Sequence, residues 1–254
     1  MIKQKLHRII QNIFHSVGYD IQYYSRGFIK FIRKHYQKKD LVGIEIGVYK
    51  GENAVSILKL LPIKRLYLID PYQSYTEFSA SETEYITLSQ KDLNNAKIQA
   101  FRRLSKFKDK IVWINEISDI AYKKIPEQLD LIYIDGNHSY EFVKRDMENY
   151  YTLLKENGIL AGHDIDMPDV LSAFIDFVKE KSKEEDFLCR IVGSDWIITK
   201  GKIGASPKSF LEKPCYKHYW GSDSFKNCPM CGWNKKFISS KNNLKVGNNK
   251  QLNS

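Results

Sequence analysis

Residues 130–141 read Asp-Leu-Ile-Tyr-Ile-Asp-Gly-Asn-His-Ser-Tyr-Glu, and residues 156–166 read Glu-Asn-Gly-Ile-Leu-Ala-Gly-His-Asp-Ile-Asp. The apolar run Leu131 to Ile134 has the character of a strand buried on both faces, and it ends in Asp135, with His138 three residues on. From Tyr140 to Leu154 the apolar positions Phe142, Val143, Met147, Tyr150, Tyr151 and Leu154 recur at helical spacing. Asn157-Gly158, which tolerate the left-handed conformation, are expected to end that helix. A second strand, Ile159 to Ala161, then delivers His163 and Asp164. Strand, helix and strand in this order predict two adjacent parallel strands whose carboxyl ends carry Asp135, His138, His163 and Asp164. Open α/β sheets place their ligands at such ends, and these side chains are the donor and base inventory of a divalent metal site. Turn and cap chemistry is the competing reading, with Asp164 and Asp166 capping the next helix and His138 the one before it.

Outward from this unit the alternation continues. Towards the N-terminus come strand 41–46, helix 53–61, strand 65–69, helix 91–106, strand 111–114 and a short helix at 118–124. Helix 168–182 and strands 187–192 and 195–199 follow the unit, the last two joined at Gly193-Ser194-Asp195 as a hairpin. The pattern predicts a doubly wound, mainly parallel seven-stranded α/β sheet with an antiparallel C-terminal edge. The polar, aromatic stretch from Pro71 to about Gln90 reads as a loop and a candidate lid.

Residues 1–40 carry Ile2, Leu6, Ile9, Ile10, Ile13, Phe14 and Val17 at spacings of three and four among many Lys and Arg. They predict a basic amphipathic helix and a second helical stretch, laid on the core or against a membrane surface. A chain of 254 residues with 43% hydrophobic content can bury one sizeable core, so one main domain is expected at 41–203. No apolar run nears the roughly 20 residues that span a bilayer, and no signal-peptide pattern opens the chain, so a cytoplasmic protein is expected. The net charge of +10 arises from scattered Lys and largely solvates the surface. Beyond the domain, Cys215-x-x-His218 and Cys228-Pro-Met-Cys231-Gly have zinc-ribbon spacing within 204–236, which predicts a structural zinc module as against a loop of free thiols. Cys189, in a strand, is expected to be merely buried. Residues 237–254 form a Lys, Asn and Ser tail with little to bury, expected to be disordered.

The first strand runs into Glu45-Ile-Gly47-Val-Tyr-Lys-Gly51, an E-x-G-x-x-x-G turn before a helix, and the second ends in Asp70. Glycines there let backbone approach a ligand, and an acid closing the second strand can accept hydrogen bonds from ribose hydroxyls. The dinucleotide fingerprint G-x-G-x-x-G is not matched. In this order the motifs resemble those of the class I S-adenosylmethionine-dependent methyltransferases, which have a Rossmann-like fold. More narrowly, I-D-G-N-H-S-Y-E with G-I-L-A-G-H-D resembles the metal-dependent sugar O-methyltransferases of the macrocin and mycinamicin type and their cephalosporin-hydroxylase-like relatives. The resemblance covers about residues 41–200. It implies that Gly47 and Gly51 border S-adenosylmethionine, Glu45 faces its methionine end and Asp70 binds its ribose. It further implies that Asp135 and Asp164 ligate a divalent cation such as magnesium, with His163 where relatives usually place a carboxylate, and that His138 is the general base. Imidazole in that slot moves preference toward softer ions than magnesium.

The expected reaction is methyl transfer to a hydroxyl of a sugar or glycosylated small molecule, with the cation and His138 activating that hydroxyl. An inactive, zinc-containing binding module and a hydroxylase are the alternative readings. Nucleic-acid substrates rank lower, because Asp135-Gly136-Asn137-His138 stands where amino-methylating families carry an acid or Asn followed by Pro-Pro-aromatic. Homo-oligomerisation and zinc-mediated docking of a partner are left open.

Overall fold

The computed structural model describes residues 26–74, 88–185 and 187–201. The amphipathic stretch 1–17, most of the 71–90 loop, the cysteine module with Cys215, His218, Cys228 and Cys231, and the tail lie outside the described residues. In chain order the elements are α1 (Gly27–His35), β1 (Leu41–Ile46), α2 (Glu52–Leu60), β2 (Ile63–Ile69), α3 (Gln90–Leu104), β3 (Ile111–Ile114), α4 (Ser118–Ala121), β4 (Leu129–Ile134), α5 (Tyr140–Tyr151), β5 (Leu154–Gly162), α6 (Pro168–Lys181), β6 (Phe187–Val192) and β7 (Asp195–Lys200).

The strands form one seven-stranded sheet in the order β3-β2-β1-β4-β5-β7-β6. The first five are mutually parallel, and β7 runs antiparallel to both β5 and β6. Strands β1 and β4 are buried along their whole length because each face of the sheet carries helices. On β4, Ile132 and Ile134 pack with Met147 of α5 and Phe174 of α6, whereas Leu131 and Tyr133 pack with Phe28 of α1 and Ile57 of α2. The period-two alternation of a strand thus feeds two cores, and the unbroken apolar run is its consequence. Strand order reverses between β1 and β4, which opens a crevice at their carboxyl ends.

Two features differ from the sequence reading in instructive ways. The hydrophobic core extends N-terminally of residue 41, because Phe28, Ile29, Phe31 and Ile32 of α1 are all buried. Asn157-Gly158 does not end α5. The helix stops at Tyr151, and the chain enters β5 through Leu154, which pairs with Leu129, before an irregularity. Asn157 sits in that irregularity at φ 61°, and pairing resumes at Ile159 opposite Leu131. The left-handed residue marks a bulge in a strand instead of a helix end. Cys189 is half-buried on β6.

Asp146 of α5 is buried, and desolvation pushes its carboxyl pKa up to about 7, against a hydrogen bond to Ser118. A raised acid pKa means the folded state holds the proton more tightly than the unfolded chain. Its contribution therefore turns against the fold as pH climbs from about 4 to about 7. Asp146→Asn is expected to flatten that slope and to gain on the order of 1–3 kcal/mol at pH 8 with little change at pH 4. Urea unfolding at the two pH values measures this, and equal gains at both would refute it.

Candidate active site

The crevice is built from the turn after β1. Gly47, Tyr49 and Gly51 all adopt positive φ (83°, 47° and 77°), so the chain coils tightly before α2. Gly47 is required by a close approach, since a Cβ there would lie 2.1 Å from the carbonyl oxygen of Asp135. The turn after β1 is in this way fitted against the loop after β4. Asp70, ending β2, accepts backbone N–H bonds from Tyr49 at 2.8 Å and Tyr72 at 2.8 Å. Burial raises its pKa against these amides. Its carboxylate, half-buried, therefore staples two residues of positive φ as well as facing the crevice.

Glu45 is 1% exposed and accepts a bond from Asn53 Nδ2 at 2.9 Å. Desolvation pushes its pKa up to about 8, against the Asn53 hydrogen bond and Arg26. Its Oε2 and the Oδ1 of Asn53 are buried with no partner among the described residues. Orphaned polar atoms at the end of β1 are what a site for a polar ligand leaves behind. Glu45, the 47–51 turn and Asp70 thus fit the carboxyl-end binding of a nucleoside-containing cofactor.

At the ends of β4 and β5, Asp135, His138 and Asp164 bring one ligand atom each within 4.8 Å of one another. His138 Nε2 lies 2.9 Å from Asp164 Oδ2 and 3.8 Å from Asp135 Oδ1. His163 Nδ1 lies 2.9 Å from Asp164 Oδ1 and 3.9 Å from Asp135 Oδ1. Asp164 is therefore held between two imidazoles, at a backbone φ of 54°. Burial lowers the pKa of His138, but hydrogen bonding and charge from Asp135 and Asp164 outweigh it and push the value up to about 9. Those same histidines hold the Asp164 carboxyl well below the usual range, against its burial. Of the residues expected as metal ligands, Asp135 and Asp164 converge, with His138 as the third side chain of the group, and His163 lies beside Asp164. The capping alternative is not what forms, since neither α5 nor α6 has a side-chain cap, and Ser139 is instead bonded to Asn137 Oδ1. A small cleft beside the cluster is lined by Ile134, Asn137, Val143, Val170 and Trp196.

Three residues of the site had no role in the sequence reading. Arg26, preceding α1, donates from Nη1 to Asp135 Oδ2 at 2.7 Å and to the Tyr133 hydroxyl at 2.6 Å. Tyr133 donates in turn to Asp195 Oδ1 at 2.9 Å, and Asp195 Oδ2 accepts from Phe28 N at 2.9 Å in the first turn of α1. Phe28 also stacks on Tyr133 with ring centroids 4.0 Å apart. A signal did exist for Tyr133. A tyrosine inside a fully buried strand needs a partner for its hydroxyl.

Residues 44–165 match the family model described as a methyltransferase domain. The chain is 24% identical over 129 residues to an uncharacterized protein of Acanthamoeba polyphaga mimivirus, a match covering 51% of this chain and 53% of that one. The chain thus spans about half the length of the curated relative it matches. Among solved structures, a candidate rRNA methylase from Clostridium thermocellum superposes with a TM-score of 0.51 at 12% identity, covering 70% of this chain and 95% of that one. A candidate methyltransferase from Streptococcus mutans in complex with S-adenosylhomocysteine gives 0.50 at 15% identity, covering 70% and 99%. A candidate caffeoyl-CoA O-methyltransferase from Staphylococcus aureus gives 0.50 at 14% identity, covering 79% and 97%. With the sheet order and the crevice described above, these likenesses show that the chain shares the fold of those solved methyltransferases, and residues 44–165 match the methyltransferase-domain model.

Proposed function

We propose that the protein is an S-adenosylmethionine-dependent O-methyltransferase acting on a hydroxyl of a sugar or glycosylated small molecule, assisted by a divalent cation. The observation that carries this reading is the convergence of Asp135, His138 and Asp164 at the carboxyl ends of adjacent parallel strands, beside the turn bearing Glu45 and the strand end bearing Asp70. The two carboxylates, Asp135 and Asp164, suit a hard divalent ion such as magnesium or manganese, and the His138 imidazole beside them is left as the base.

A cation held by Asp135 and Asp164 supplies acidification and orientation of an acceptor hydroxyl. The protein's own residues do the rest. Glu45 and the 47–51 turn hold the methionine end of the cofactor, and Asp70 takes its ribose. His138 receives the hydroxyl proton once the two carboxylates beside it are offset, since in their unopposed field it already carries one.

Calorimetric titration of S-adenosylmethionine and S-adenosylhomocysteine into the purified chain is expected to show micromolar binding of both, and its absence in folded protein would overturn the proposal. Asp70→Asn is the informative variant. Asp70 also staples Tyr49 and Tyr72, one to each carboxylate oxygen, so alanine would remove both staples, whereas asparagine keeps one and sets its amide N–H against the other backbone N–H, a loss that a thermal melt of the same variant reads separately. A loss of at least about tenfold in S-adenosylhomocysteine affinity is expected, the scale of one charge-assisted hydrogen bond. Unchanged affinity would remove Asp70 from the cofactor site.

A further inference from the structure

Arg26 makes an unusual contact with its carboxylate. A guanidinium commonly lies across a carboxylate with two nitrogens on two oxygens. Here both contacts come from Nη1, one to Asp135 Oδ2 and one to the Tyr133 hydroxyl. Only Oδ2 is engaged, and Oδ1 is left as the oxygen facing His138 and His163. The geometry is locked from behind, because Tyr133 is fully buried and bonded to Asp195, which holds the first turn of α1. Arg26 is thus delivered to the cluster by a helix belonging to the core, and its charge is permanent. Among the described residues it is the arginine in contact with the acidic cluster, and any cation bound beyond Oδ1 would feel its repulsion across a single carboxylate.

We infer that Arg26 is a positioning residue acting through Asp135, withholding Oδ2 from the cation site and supplying a counter-charge that keeps the resting site's affinity for divalent ions low. This inference rests on the metal-assisted reading above. It deepens that reading by making Asp135 a one-oxygen donor whose strength is set from the N-terminal helix.

The test is manganese binding, followed by electron paramagnetic resonance of free ion, in the full chain and in Arg26→Gln, Arg26→Met and Arg26→Lys. S-adenosylhomocysteine titration and thermal melts of the same samples report on the cofactor site and the fold. Both neutral variants are expected to bind manganese at least about tenfold more tightly than wild type, while Arg26→Lys, which restores the charge, stays within about threefold. Using two neutral variants keeps the test decisive if one fails to fold. Wild-type binding with unchanged or weakened affinity in the neutral variants would overturn the inference and leave the metal reading standing. No manganese binding by any form would overturn both, and intact S-adenosylhomocysteine binding in the same samples would show that the cofactor site survives that failure.

Discussion

Asp164→Asn is expected to lower methyl transfer by about three orders of magnitude while leaving S-adenosylhomocysteine affinity within about threefold. The side chain is chosen to isolate charge. Asparagine tolerates the left-handed φ of 54° that Asp164 occupies, so the turn into α6 should survive. Each Asp164 oxygen faces an imidazole at 2.9 Å, and loss of the negative charge removes the strongest partner of both His138 and His163. The cluster would be left with one carboxylate, Asp135, already half engaged by Arg26. Cation affinity should therefore fall with turnover. His138→Gln, in contrast, should stop turnover with a smaller loss of cation affinity if its task is to take the proton. Transfer of labelled methyl groups to a panel of free and nucleotide-linked sugars, with manganese binding alongside, separates the two. Turnover by Asp164→Asn within tenfold of wild type would remove the cluster from the chemistry.

Much of this architecture is legible in the sequence because parallel strands covered on both faces are near-continuous apolar runs. Leu41–Ile46, Leu131–Ile134 and Ile159–Ala161 announce themselves in this way, and the residues that end them, Glu45-Ile-Gly47, Asp135 and His163-Asp164, fall at the crevice as expected. What the sequence could not supply was the direction of individual side chains. Both histidines reach the cluster, but which one converges with the carboxylates depends on the loop after β4 and on the positive φ of Asp164. Neither leaves a local pattern.

The network of Arg26, Tyr133 and Asp195 was illegible for a different reason. Its members are separated by up to 169 positions in the chain, and although Tyr133 lies in the strand before Asp135, neither Arg26 nor Asp195 sits in a motif that would name its partner. Asp195 looks like a hairpin residue because it is one, opening β7 after the Gly193-Ser194 turn, and its burial against α1 is purely tertiary. Asn157 shows the limit of local reading from the other side. Its left-handed preference is real, yet a bulge in β5 and the end of α5 make the same demand on a residue, and only strand pairing decides between them.

Gly47→Ala is expected to destabilise the domain by about 3 kcal/mol or more and to lose cofactor binding with it. Two costs combine at this position. A φ of 83° is unfavourable for any residue with a Cβ, by roughly 1–2 kcal/mol. The added methyl would also lie 2.1 Å from the Asp135 carbonyl oxygen and 2.7 Å from Gly136 Cα, and both are backbone atoms that no rotamer change can move aside. Relief requires the turn after β1 and the loop after β4 to part, which displaces the cofactor side of the crevice and the acidic cluster together. Gly193→Ala provides the control. Gly193 has a similar φ of 68°, but a Cβ there meets nothing within 4 Å, so only the conformational cost of about 1 kcal/mol should appear. Urea unfolding of the two variants then separates strain from collision. Equal, small losses in both would mean that the contact between the two loops is slack, and Asp135 could not then be held in register with Glu45 and Asp70 by the backbone alone.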